Sequence, residues 1–283
     1  MEMPAVPTIR ISTRNGLTIA ADIMGPEEAP TVVLGHGGGQ TRHSWSRAGV
    51  ELADAGYRVI NYDLLGHGES DWDPQGRYDL AGRAADLRSV VAAGNSPFAL
   101  VGASLGGATS LKAATEGLDP AALVLVDIVP LVSIDGVARI RAFMTSRPEG
   151  FVDLEEAADA IAAYNPGRPR PDDLSGLAKN LRKDPDGRWR WHWDPRILDG
   201  AEGQPRFLLS VMDEADWTDR IPTMLVRGLK SDIVTDEGVA DLRRRIPALE
   251  VTNITGAGHM VAGDRNDQFN AAVLEFLSRT MPV

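Results

Sequence analysis

The chain contains no cysteine, which excludes a disulfide framework and a thiolate metal site. Its 283 residues include no apolar run of the length that a membrane span needs. The start, Met1-Glu-Met-Pro, lacks the basic region and apolar core of a signal peptide. Positive charge is also scarce, because 29 Lys and Arg against 40 Asp and Glu give a net charge of −11. We therefore expect a cytoplasmic protein with neither nucleic acid nor membrane as a partner.

Apolar runs typical of buried strands alternate with helical patterns along most of the chain. The first two runs are joined by Asn15-Gly16, a hairpin turn. The alternation in the rest predicts an α/β fold with a mostly parallel eight-stranded sheet, covered by helices on both faces. The predicted strands are residues 8–12, 17–24, 31–36, 57–62, 98–103, 122–127, 223–228 and 248–254.

The most informative segment runs from Phe98 to Gly107, where a strand-like run meets a serine between small residues. Gly102-Ala103-Ser104-Leu105-Gly106 has the G-x-S-x-G spacing of a nucleophile elbow. Only small residues fit two positions before and after such a serine, because the turn brings them together. A helix is predicted from Gly107 to Glu116, with its free N–H groups directed at the serine's target. The alternative is a strand-to-helix turn whose serine only caps the helix.

A second strand-like run ends in the glycine loop His36-Gly-Gly-Gly39. A dinucleotide-binding fingerprint needs a small third residue where Gln40 stands, so this interpretation fails. The loop has instead the HGGG form of an oxyanion loop. The backbone N–H groups of Gly38 and Leu105 would then hold the developing negative charge, since glycine lets the backbone approach closely.

A serine nucleophile needs a histidine base, and the chain has five histidines. His259 is the predicted base, because it follows the last predicted strand and a flexible loop. The acid that orients it should lie between the serine and the histidine. We predict Asp232, on the loop after strand 223–228, because the next strand leads directly to the His259 loop. Asp127, at the end of strand 122–127, is the alternative.

With these motifs the whole chain resembles the α/β-hydrolase superfamily. Within that superfamily it is most similar to the branch of serine esterases, cofactor-free haloperoxidases and epoxide-hydrolase-like proteins. The turn Asp63-Leu-Leu-Gly-His-Gly-Glu-Ser70 adds to the resemblance. Relatives that open epoxides or remove halide use Asp where this chain has Ser104, which implies acyl chemistry here. Leu65 stands where relatives commonly carry Arg, a departure that concerns a local salt bridge and not the fold.

Strand-like runs are absent between about residues 131 and 219. Helices are predicted there at 136–145, 154–164, 172–182 and 205–216. We interpret residues 131–219 as a helical cap, inserted before the acid strand into a hydrolase core of residues 1–130 and 220–283. The cap should lie over the serine, so part of it should line the substrate cavity. The expected substrate-binding residues are His36, Gly37, Phe143, Met144, Trp193 and Met260.

Together these residues predict cleavage of a carboxylic ester or lactone through a serine-bound acyl intermediate. No metal or organic cofactor is implied, because the remaining histidines and carboxylates show no ligand spacing. A perhydrolase or haloperoxidase, a C–C bond hydrolase with the same triad, and a small-molecule receptor with vestigial activity stay open as alternatives. The expected partner is a small-molecule ester or lactone, and the expected state is a monomer or homodimer.

Overall fold

The computed structural model describes residues 6–166, 170, 172–199, 207–259, 261 and 266–283. Each strand predicted from the apolar runs is present, and a short hairpin is added. The strands are β1 (Thr8–Ser12), β2 (Thr18–Met24), β3 (Thr31–Gly35), β4 (Arg58–Tyr62), β5 (Phe98–Ala103), β6 (Ala122–Val126), β7 (Leu181–Lys183), β8 (Trp189–Trp191), β9 (Thr223–Gly228) and β10 (Glu250–Ile254).

Eight of these strands form one sheet in the order β1-β2-β4-β3-β5-β6-β9-β10. The pairs β1–β2 and β2–β4 are antiparallel, and all other pairs in this sheet are parallel. In the first hairpin Ser12 pairs with Thr18, and Gly16 adopts a φ of +75° in the turn. The predicted mostly parallel eight-stranded sheet is therefore confirmed. Its order places the ends of β5, β6, β9 and β10 side by side.

Helices cover both faces of the sheet. Because the central strands are buried on both sides, alternate residues of one strand enter different core layers. Val32 and Leu34 pack in the layer that contains Trp45 and Phe269, whereas Val33 packs in the other layer. The helices are α1 (Ser46–Asp54), α2 (Leu80–Val91), α3 (Leu105–Thr115), α4 (Ile134–Met144), α5 (Leu154–Tyr164), α6 (Ser175–Ala178), α7 (Phe207–Asp213), α8 (Asp236–Arg245) and α9 (Asn266–Thr280), with 3-10 turns at Arg42–Trp45 and Pro195–Leu198.

The segment predicted as a helical cap, residues 131–219, is called the insertion below, and it differs from its prediction in one part. Helices α4 and α5 lie where they were expected. The helix predicted over 172–182 is wrong, because only Ser175–Ala178 is helical and β7 pairs antiparallel with β8. The sequence Asp184-Pro-Asp-Gly187 supplies the tight turn between them, and Gly187 has a φ of +84°.

Candidate active site

The elbow predicted around Ser104 has the backbone that such a turn requires. Ser104 lies between β5 and α3 with φ 45° and ψ −109°, a left-handed conformation that non-glycine residues rarely adopt. A Cβ added to Gly102 would lie 2.5 Å from the carbonyl carbon of Gly106. A Cβ on Gly106 would lie 2.3 Å from the carbonyl oxygen of Gly35. Glycine is therefore required on both sides of the serine, whose own backbone is strained.

The glycine loop lies beside this serine. A Cβ added to Gly37 would lie 3.6 Å from the Cβ of Ser104, and one added to Gly38 would lie 3.8 Å from Cδ2 of Leu105. The N–H of Gly37 is occupied, because it donates to Oε1 of Gln40 at 3.1 Å. In the described part of the chain, the N–H groups of Gly38 and Leu105 have no protein acceptor. The two predicted oxyanion donors are therefore unpaired and adjacent to the serine.

Two buried histidines hold the glycine loop in this position. Nε2 of His36 accepts from the N–H of Leu64 at 3.0 Å, and its Nδ1 lies 2.8 Å from the carbonyl oxygen of Gly37. Nε2 of His67 accepts from the N–H of Gly39 at 3.2 Å. Accepting at Nε2 requires the neutral ring in both cases. Accordingly, burial lowers the pKa of His36, and it lowers that of His67 well below its usual range.

His36 was expected to bind substrate, and the structure corrects this prediction. The side chain is fully buried, and backbone groups occupy both ring nitrogens. The histidine therefore positions the loop and presents no polar atom to a ligand.

The acid beside His259 is Asp127, so the prediction of Asp232 is wrong. Oδ2 of Asp127 lies 2.8 Å from Nδ1 of His259. The Asp127 side chain is 0% exposed, and that of His259 is 19% exposed. Asp127 has a φ of +49°, the second left-handed non-glycine residue among those described. The strained conformation directs its carboxylate across the end of β9, where the N–H of Gly228 donates to Oδ1 at 3.0 Å.

Asp232 does lie on the loop after β9, as predicted, but its side chain turns to the insertion. Its Oδ2 forms an ion pair with Nη2 of Arg139 on α4 at 3.1 Å. A Cβ added to Gly136 of the same helix would lie 2.2 Å from the carbonyl oxygen of Asp232. Asp232 therefore connects the insertion to the sheet, and it does not orient the base.

Ser104 and His259 are brought to the same edge of the sheet, since one follows β5 and the other follows β10. Among the described residues, the Ser104 hydroxyl has no hydrogen-bond partner. Contacts between nucleophile and base are often long without substrate and tighten in the complex. The arrangement therefore places an oriented imidazole and a free serine hydroxyl at the same edge of the sheet.

A buried salt bridge stabilises the turn at residues 63–70 although Leu65 replaces the arginine of many relatives. Nη1 of Arg42 lies 2.5 Å from Oδ2 of Asp63, and its Nε lies 3.0 Å from Oδ1 of Asp22. Burial alone would lower the pKa of the Arg42 guanidinium, but Asp63 and Asp22 outweigh burial and raise it. The positive charge that pairs with Asp63 therefore comes from Arg42, in the segment after the glycine loop, and not from position 65.

Two of the predicted substrate-binding residues of the insertion lie against the glycine loop. A Cβ added to Gly39 would lie 3.0 Å from Cε of Met144 and 3.8 Å from Nε1 of Trp193. Trp193 is fixed by a β-bridge to His67. Phe143 instead stacks on Tyr164, with ring centroids 4.3 Å apart, inside the insertion. Met260 lies outside the described residues.

Two further kinds of feature, a group of side chains that could hold a metal ion and a membrane-spanning helix, are absent from the residues that the structure describes. It contains no group of three or more His, Asp or Glu residues arranged to hold a metal ion. None of its helices is long and apolar enough to cross a membrane.

The fold and this site define an α/β hydrolase. The model of the Alpha/beta hydrolase family matches residues 32–272, and the chain belongs to this family. Esterase Rv0045c of Mycobacterium tuberculosis is 31% identical over 251 residues, covering 84% of this chain and 79% of the esterase. The mouse (Mus musculus) sn-1-specific diacylglycerol lipase ABHD11 is 26% identical, covering 97% of this chain and 92% of the lipase.

Solved structures agree on the fold. The crystal structure of E-2-(acetamidomethylene)succinate hydrolase superposes with a TM-score of 0.83 and covers 96% of this chain and 99% of its own, at 21% identity. The two relatives named above are an esterase and a lipase, which supports hydrolase activity for this chain.

Proposed function

We propose that this protein is a serine hydrolase that cleaves a small carboxylic ester through an acyl-enzyme intermediate. The observation that carries the proposal is the hydrogen bond between buried Asp127 and His259, at the edge of the sheet where the strained Ser104 lies. The esterase and lipase relatives support the same class of bond. A lactone, which is a cyclic ester, suits the same chemistry.

In the first step, Oγ of Ser104 attacks the ester carbonyl, and Nε2 of His259 accepts the serine proton. The carboxylate of Asp127 accepts from Nδ1–H, keeps the imidazole in the required tautomer and stabilises the imidazolium. The N–H groups of Gly38 and Leu105 donate to the oxyanion of the tetrahedral intermediate. The imidazolium then protonates the leaving alcohol as the ester C–O bond breaks.

In the second step, His259 removes a proton from water, which attacks the acyl carbon. The second tetrahedral intermediate collapses and Ser104 leaves with a proton from His259. The carboxylic acid product and the free enzyme result. All atoms and protons are accounted for by the ester, water and these side chains, so the proposed reaction needs no cofactor.

The insertion supplies the substrate cavity in this proposal. Met144 and Trp193 lie over Gly39, next to the oxyanion donors, so the group bound there contacts a wall formed by an apolar thioether chain and an indole ring whose N–H faces the loop. Such walls select substrates by size and shape more than by charge. We infer that residues 131–219 act as a specificity cap, and that the substrate is a small, largely apolar ester or lactone.

The test is steady-state hydrolysis of p-nitrophenyl acetate and butyrate by Ser104→Ala, with Ser278→Ala as the matched control. Ser278 is exposed and its hydroxyl donates only to the carbonyl of Glu275. We expect Ser104→Ala to lose at least ~10³-fold in kcat and Ser278→Ala to retain activity. Retained activity in folded Ser104→Ala would reject the proposal. A wild-type protein that binds esters without turnover would favour a receptor.

A further inference from the structure

Asp127 has a second partner on the same oxygen that faces the histidine. The hydroxyl of Ser231 donates to Oδ2 of Asp127 at 2.5 Å, and Nδ1 of His259 lies 2.8 Å from that oxygen. Gly228 donates to the other oxygen. Ser231 lies on the loop after β9, next to Asp232, so this loop contributes a hydroxyl to the acid and not a carboxylate.

The Ser231 hydroxyl is fixed in direction. A serine hydroxyl has one donor and two acceptor positions. Both acceptor positions are used, because the N–H groups of Ile233 and Val234 donate to Oγ at 3.2 Å each. The single proton is therefore directed to Asp127. The N–H of Ser231 also donates to the carbonyl of Gly228 at 3.0 Å, which closes the turn.

We propose that Ser231 is a positioning residue for ester hydrolysis, one that holds Oδ2 of Asp127 against Nδ1 of His259. This inference rests on the proposed function. With the Ser231 hydroxyl removed, Oδ2 accepts from His259 alone and is free to rotate from the line of Nδ1. The carboxylate then fixes the tautomer of His259 less well and stabilises the imidazolium less, so the serine is deprotonated less readily.

A structural role alone predicts a different result. If Ser231 only closes the loop through Ile233 and Val234, its loss reduces stability without acting through the carboxylate. Asp232, the charged neighbour on the loop, pairs with Arg139 of α4, so it contributes no unpaired charge to the change. Asp232→Asn is therefore the matched control for disturbance of the same loop.

The kinetic experiment compares Ser231→Ala, Ser231→Thr and Asp232→Asn in the full-length protein. For Ser231→Ala we expect kcat to fall about 10- to 100-fold with KM little changed, because a hydrogen bond to a charged group is lost. Ser231→Thr, which keeps the hydroxyl, should restore kcat, and Asp232→Asn should stay within about threefold of wild type. An unchanged kcat in folded Ser231→Ala, or a loss that Ser231→Thr does not restore, would overturn the proposal.

A double-mutant cycle with Asp127→Asn tests whether Ser231 affects kcat through the Asp127 carboxylate. If Ser231 acts through the carboxylate, Ser231→Ala should cost much less in the Asp127→Asn background than in wild type. Equal losses in both backgrounds would contradict the proposal.

Proton NMR of the resting protein separates this inference from the proposed function, because it needs no turnover. The Nδ1–H signal of His259, assigned by its loss in His259→Ala, should shift in Ser231→Ala and return in Ser231→Thr. An unshifted signal would refute the positioning role, whereas Ser104→Ala activity would refute only the hydrolase mechanism.

Discussion

Replacing Asp127 with asparagine is the sharpest perturbation of the site, because the two side chains have the same shape. The carboxylate accepts at both oxygens, from Gly228 at Oδ1 and from Ser231 and His259 at Oδ2. An asparagine has one oxygen and one NH₂ group. In either orientation of the amide, its NH₂ group faces a neighbour that donated to the carboxylate. The negative charge is lost in both orientations.

The size of the expected loss in kcat depends on which way the asparagine amide is oriented. With NH₂ toward Gly228, one buried donor–donor contact costs about 1–3 kcal/mol of stability, while His259 keeps its partner without the charge. With NH₂ toward His259, the imidazole must adopt the wrong tautomer, and the template system then loses about 10⁴ in kcat. We expect Asp127→Asn to lose about 10²- to 10⁴-fold in kcat.

The assay is p-nitrophenyl butyrate hydrolysis at a pH where wild type is fully active, with circular dichroism as a check of folding. Asp232→Asn is the matched control, since Asp232 is 27% exposed and pairs with Arg139. It should change kcat by less than about threefold, as expected for a partly exposed ion pair. A larger loss in Asp232→Asn than in Asp127→Asn would refute the assignment of the acid.

Two further predictions concern specificity and stability. Met144→Ala and Trp193→Ala should each change the ratio of kcat/KM for butyrate and acetate esters by about 10-fold, whereas Ile134→Ala, exposed on the same helix as Met144, should not; equal ratios in all variants would contradict the cap proposal. Burial lowers the pKa of His67 in the folded protein well below its value in the unfolded chain, which is about 6.5. Below about pH 6.5 the unfolded chain therefore binds a proton that the folded protein does not, and the contribution of His67 to stability falls as the pH falls. The difference in Tm between wild type and His67→Gln should therefore shrink from pH 8 to pH 5.5, and a constant difference would contradict this reasoning.

The sheet and the elbow could be predicted because their signals are local. Buried parallel strands such as β3 and β6 are continuous apolar runs, and Gly102 and Gly106 flank Ser104 at a fixed spacing. The hairpin β7–β8 also had a local signal, the turn at Asp184–Gly187 followed by Trp-Arg-Trp, but the helical interpretation of 172–182 obscured it.

The acid could not be predicted in the same way, because side-chain direction at a strand end depends on distant partners. Asp127 and Asp232 both follow strands that end near the histidine loop. The backbone of Asp127 and the donors from Gly228 and Ser231 turn one carboxylate inward. Arg139, from the insertion, holds the other outward. None of these contacts corresponds to a fixed spacing of residues that could be recognised in the sequence.

The role of Gln40 shows a similar limit. From the sequence, its side chain only argued against a dinucleotide-binding loop. In the structure its Oε1 occupies the N–H of Gly37, so that Gly38 is the glycine with an unpaired donor next to Leu105. The side chain that argues against a dinucleotide-binding loop thus determines which glycine N–H is unpaired.

In the proposed reaction Ser104 becomes covalently acylated. The most direct measurement is mass spectrometry of the protein after reaction with a fluorophosphonate ester, followed by peptide mapping. We expect one adduct, on the peptide that contains Ser104. The adduct should be absent in Ser104→Ala, and its formation should be much slower in Asp127→Asn. An adduct on another serine, or labelling that persists in Ser104→Ala, would contradict it.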